Sequence, residues 1–157
     1  LELTRAYLPM HGYYGYELSN YAKDGFYSRH NCVYWRQEDY LGLGLGATSF
    51  IDGAFIVRPQ QMSEYYQALA ENKLPERYEE LSLDELMGQF IFMGLRLDEG
   101  VSLSRFRERF GRDLSEIFAA PVAKACRNGL AELNETHFRL TEQGKFLANE
   151  VMCEFLA

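Results

Sequence analysis

The chain has 157 residues, 47% hydrophobic and 15% aromatic, which suffices for one buried core or two small ones and is too apolar for a disordered segment. Its net charge of −7 is spread evenly, 11 acidic to 7 basic residues over 1–80 and 12 to 9 over 81–157, so neither half offers a nucleic-acid surface by charge. No run approaches the roughly 18 apolar residues of a membrane span and no secretion signal is legible, so a cytoplasmic protein is expected.

Cys32, Cys126 and Cys153 lie too far apart in sequence for a disulfide framework or a compact metal site and are expected as free thiols. Leu1, Leu3, Ala6, Tyr7 and Leu8 read as the end of a helix with no cap residue ahead, which points to a chain cut from a longer one; the helix closes at Pro9 to Gly12. Tyr13 to Tyr21 alternates like a strand, and Ala22 to Asn31 is a polar loop that leaves His30 and Asn31 at the strand's carboxyl end, the edge where α/β sheets hold ligands. Val33 to Trp35 is a short apolar piece. Leu41 to Phe50 alternates leucine with Gly42, Gly44 and Gly46, and a strand without side chains on one face invites the close approach of either a ligand or another element.

Ile51 to Pro59 predicts a hairpin on an Asp-Gly turn, Ser63 a helix cap, and Lys73 to Glu80 a charged, proline-bearing linker. Beyond it, Ser82 with Glu85 predicts a capping box on a broadly apolar, buried helix reaching Leu97. Ser102 opens a second helix ended by Gly111; Asp113 or Ser115 opens a third, unless Pro121 sets its start, ending at Asn128-Gly129. Two short strands around Asn134-Glu135 and a helix opened by Thr141 complete a winged-helix order. The arginines at 105, 107, 109 and 112 alternate with acids and read as a solvated face rather than a nucleic-acid surface. The fold class is thus α/β (α+β), an α/β part over 1–75 and a helical part over 76–157.

Several motifs are specific. They are Tyr16-Glu17-Leu18-Ser19-Asn20-Tyr21-Ala22-Lys23, Ser28-Arg29-His30-Asn31-x-x-Tyr34-Trp35, Asp39-Tyr40-Leu41-Gly42-x-Gly44-x-Gly46-Ala47, Gly94-Leu95-Arg96 with Gly100-Val101, and Leu140-Thr141-x-x-Gly144. In that order the chain resembles the carboxyl-terminal half of the oxygen-independent coproporphyrinogen III oxidase-like radical S-adenosylmethionine proteins, and within that family its haem chaperone branch. The resemblance implies the last strands and helices of an incomplete (β/α) barrel followed by a winged-helix-like domain. It also implies haem or porphyrin as ligand, delivery of haem to acceptor haemoproteins, and haem contact by His30, Asn31, Tyr34 and Trp35 with His30 on the iron. Gly42, Gly44 and Gly46 would lie near S-adenosylmethionine. The alternative reading is coproporphyrinogen III oxidase of porphyrin biosynthesis.

The family's 4Fe-4S cluster needs three closely spaced cysteines, which this chain does not carry, so the cluster and S-adenosylmethionine are expected of the intact protein only and no catalytic residue is assigned. Imidazole suits haem iron, and Tyr34 and Trp35 offer flat apolar surfaces to a porphyrin. Arg29 and Arg36 have the geometry to pair with propionates, though a solvated surface is the plainer role for each. Cys32 holds a variable position of its motif and is taken as a packed thiol; His11 and His137 are taken as surface or turn residues. A severed barrel would leave an open sheet edge, so self-association is expected.

Overall fold

Pro9 does close the first helix. In the computed structural model, which describes residues 2–73 and 77–156, α1 (Glu2–Tyr7) is followed by a 3-10 turn at Pro9–His11, and Gly12 sits at φ 78°, where a missing Cβ avoids strain. The chain folds as two units: residues 1–37 with 87–157, and residues 38–86.

The run Tyr13 to Tyr21, expected as one strand, is instead a tight hairpin of two-residue strands, β1 (Tyr14–Gly15) against β2 (Tyr21–Ala22). Glu17 breaks it. Its Oε1 accepts from the Ser19 amide at 2.9 Å and from Asn20 Nδ2 at 2.6 Å, a local turn that competes with a strand ladder. The backbone of Tyr16 to Leu18 then pairs elsewhere: Glu17 bridges Leu97, Leu18 N donates to Arg96 O at 3.0 Å, and Asp98 N donates to Tyr16 O at 3.1 Å.

A second correction concerns His30 and Asn31, which lie in the first turn of α2 (Arg29–Trp35) and not in a loop. Ser28 caps that helix, its Oγ accepting from Asn31 N at 3.3 Å. A seven-residue helix is marginal alone, and this one is held by packing, with Cys32 buried against Tyr16 and Leu97.

In the unit of residues 38–86, β3 (Thr48–Ile51) and β4 (Ala54–Val57) form the expected hairpin, with Asp52 and Gly53 both at positive φ, 50° and 84°. Phe50, 1% exposed, is its core residue, with Phe55 at 4.9 Å between ring centroids. The helix α3 (Met62–Ala70) begins after Gln61 rather than at Ser63, without a side-chain cap. Its face of Met62, Tyr66 and Leu69 is exposed while Ala68 is buried. The expected linker contains a strand: β5 (Arg77–Glu80) pairs antiparallel with β4, giving sheet order β3-β4-β5; residues 74–76 of that stretch lie outside the described residues.

The capping box is present. Ser82 N and Oγ both donate to Glu85 Oε2, at 2.8 and 2.7 Å, and Glu85 N donates back to Ser82 Oγ at 3.3 Å, opening α4 (Leu83–Gly94). Met87 and Ile91 are fully buried along it, as is Leu95 just beyond its end. There follow β6 (Val101–Ser102), α5 (Leu103–Phe110) capped by Ser102 and ended by Gly111 at φ 66°, α6 (Leu114–Ile117) and α7 (Ala119–Arg127). The third expected helix is thus two, broken at Phe118 just ahead of Pro121, which cannot donate into a preceding turn. The sheet order of β6, β7 (Ala131–Leu133) and β8 (His137–Leu140) is β6-β8-β7. The last expected helix is also two, α8 (Glu142–Phe146) capped by Thr141 and α9 (Ala148–Cys153). Phe106, Phe138, Met152 and Phe155 fill the core they share.

Candidate functional site

Helical spacing turns the His-Asn-x-x-Tyr-Trp motif into two faces. His30 and Tyr34, four residues apart, stand one above the other: Tyr34 Oη lies 3.0 Å from His30 Nε2, and the rings meet edge to face at 4.8 Å and 85°. His30 is exposed and Tyr34 half-buried, so the pair is open to a ligand. Asn31 spends its amide on the Ser28 cap, and its side chain is half-buried.

Trp35 is turned about 100° from Tyr34 and faces inward, against the cluster of Tyr16, Cys32 and Leu97. The Arg96 guanidinium lies 4.3 Å from its ring centroid. Arg96 in turn faces the fully buried Glu17 carboxylate at 3.6 Å. The Tyr-Glu-Leu-Ser-Asn-Tyr and Gly-Leu-Arg motifs, distant in sequence, therefore meet beneath the histidine helix. Trp35 Nε1 is buried without a hydrogen-bond partner.

The far end of α2 is held by residues that sequence reasoning placed in solvent. Arg109 Nη1 donates to Gln37 O at 2.6 Å and Arg105 Nη2 to Arg36 O at 3.5 Å, two cations on the carbonyl end of a helix, where the dipole favours them. Gln37, buried at φ 49°, donates from Nε2 to Gln89 Oε1 at 2.6 Å. The spacing of Arg105 and Arg109 on one face of α5 was the legible signal. Arg36 is committed to Glu99 at 3.1 Å, while Arg29 is exposed. His11 stacks on Tyr7 at 4.2 Å, and His137 Nδ1 lies 3.0 Å from Thr136 Oγ1, both local pairings.

Gly42, Gly44 and Gly46 belong to the other unit and are not on a strand. A Cβ on Gly42 would fall 2.3 Å from Thr48 O, so the close approach there is to the chain's own backbone. Gly44 and Gly46 adopt φ 100° and 66° with open space where a Cβ would project. Burial raises the Cys126 thiol above its ordinary pKa, Cys32 is buried, and Cys153 is exposed. Among the described residues no group of three or more His, Cys, Asp or Glu is arranged to hold a metal ion, and no helix is long and apolar enough to cross a membrane.

Residues 81–147 match the HemN C-terminal domain family. The heme chaperone HemW of Bacillus subtilis is 38% identical over 99% of this chain and 41% of its own length, and that of Lactococcus lactis is 29% identical over 95% and 39%. The solved structure of coproporphyrinogen III oxidase (HemN) from Escherichia coli, a radical SAM enzyme, superposes with a TM-score of 0.73 at 20% identity, over 98% of this chain and 39% of that one. The chain thus spans about two-fifths of the length of the relatives it matches. Residues 81–147 are thus similar to the HemN C-terminal domain, the chain over 99% of its length is similar to a heme chaperone HemW, and its fold is that of the matching part of the HemN structure.

Proposed function

We propose that this chain supplies the haem-contacting part of a haem chaperone of the radical S-adenosylmethionine family, which binds haem and delivers it to acceptor haemoproteins. The observation that carries the reading is the exposed, preformed His30–Tyr34 pair on α2, a nitrogen and an oxygen donor on one face, in a chain similar to proteins named heme chaperone. The donor set fits haem. Asn31 borders the pair, and Trp35 stiffens the helix from within.

The same reading takes 1–75 as the last part of the barrel and 76–157 as a winged-helix-like domain, for which the support is the hairpin β7–β8 that follows three short helices and pairs back with β6 ahead of them. The cluster and S-adenosylmethionine then belong to the intact protein, with the open backbone at Gly44 and Gly46 as the segment nearest the latter.

Haem titration tests it. Because Trp35 is the sole tryptophan, bound haem should quench nearly all indole fluorescence, and the endpoint gives the stoichiometry. His30→Ala should weaken the Soret change; His11→Ala and His137→Ala should leave it intact. If instead the whole protein with its cluster converts coproporphyrinogen to protoporphyrinogen, it is the oxidase.

A further inference from the structure

Tyr34 is joined to His30 through the imidazole nitrogen that an iron atom would ordinarily take. Oη lies 3.0 Å from Nε2, and the helix fixes this distance, because residues four apart stack on one face and Ser28 and Cys32 pin the segment at its cap and on its buried side. With the imidazole protonated at Nδ1, the phenol donates to Nε2. The Nε2 lone pair is then used, and the phenol becomes a stronger oxygen donor as its proton is drawn toward the imidazole.

We infer that the atom of this site that meets haem iron is Tyr34 Oη, with His30 as the group that holds it and takes its proton; the inference rests on the haem-contact reading above. The step balances without redox change. The Tyr34 O–H bond breaks, its proton moves to His30 Nε2, the oxygen bonds iron(III), and a water molecule leaves the iron. Tyrosine is an established haem ligand type, and a hard anionic oxygen favours ferric over ferrous iron. The imidazolium left beside it compensates the charge. A site of this kind selects the oxidation state of its cargo.

Ferric haem added to the whole protein is expected to show a phenolate-to-iron charge-transfer band in the visible spectrum and phenolate modes in resonance Raman spectra. Tyr34→Phe should abolish both and weaken ferric haem binding by about tenfold or more. His30→Ala should keep the band with several-fold weaker binding, and His30→Gln, which retains an acceptor, should recover part of the loss. Dithionite should weaken binding by the wild type and change Tyr34→Phe little. Circular dichroism confirms that each variant is folded. A Tyr34→Phe protein with the wild-type spectrum, alongside a His30→Ala protein that has lost it, would make imidazole the ligand and overturn the assignment. Unchanged haem affinity in both variants would remove the haem site itself, and this inference with it.

Discussion

The guanidinium of Arg109 rests 2.6 Å from the carbonyl oxygen of Gln37, so a side chain of α5 closes the helix that carries His30 and Tyr34. Arg109→Ala should lower stability in urea unfolding by about 2 kcal/mol, the net worth of a part-buried hydrogen bond from a charged group. The same change should broaden the amide signals of α2 in NMR spectra. Arg107→Ala, which removes an exposed pairing with Asp113, should do neither.

Glu17 is a carboxylate with no solvent contact, bound to Ser19 N and Asn20 Nδ2 and facing Arg96. Glu17→Ala strips partners from three groups at once and should cost about 3 kcal/mol or more by chemical denaturation. Glu17→Gln keeps an acceptor oxygen and should cost less. An alanine variant as stable as wild type would mean that the Tyr16 to Leu18 pairing with Arg96 to Asp98 persists without its buried anion.

Gly144 is the tightest glycine of the chain, since a Cβ there would sit 1.7 Å from Leu130 O. Neither group is at the end of a flexible side chain. Gly144→Ala should therefore force α8 and the start of β7 apart and destabilise by about 3 kcal/mol. Gly46→Ala, in open space at positive φ, should cost about 1 kcal/mol from backbone strain alone.

Acid should loosen α4 first at its amino end. The hydrogen bonds from Ser82 side chain and backbone hold the Glu85 carboxyl below its ordinary value, so its folded pKa is depressed. Its contribution is then present above the ordinary glutamate value and is lost as pH falls through the lower, folded one. Glu85→Gln should remove this part of the acid sensitivity of unfolding. A stability profile left unaltered by Glu85→Gln as the pH falls below the ordinary glutamate range would count against the box.

The elements that announced themselves in sequence were those with their own local chemistry. The Ser82–Glu85 box, the Ser102 and Thr141 caps, and the Asp52-Gly53 turn needed nothing beyond neighbouring residues. The helix of the site did not announce itself: seven residues carry too little periodicity, and burial of Cys32 against Tyr16 and Leu97 decides it. The strand Arg77–Glu80 was hidden by its charges, because pairing with β4 needs only backbone. The leucine-glycine alternation misled in the other direction. It has period two, yet Gly44 and Gly46 take conformations that no strand permits. The residues of the candidate site were visible as a motif, whereas the Tyr34–His30 bond and the arginine closure needed coordinates.

The bridge between Glu17 and Leu97 spans 80 positions, with the whole of residues 38–86 between its two sides. During synthesis Tyr16 to Leu18 emerge and then wait. At common elongation rates the wait is about 4 to 16 s, long compared with the formation of helices or hairpins. Throughout it α2 lacks Leu97, Arg96 and Arg109, so the His30 helix is without its tertiary contacts long after its own residues have been made. The described arrangement of the His30 helix, closed by Arg109 on the Gln37 carbonyl, can therefore be complete only once residue 109 has left the ribosome.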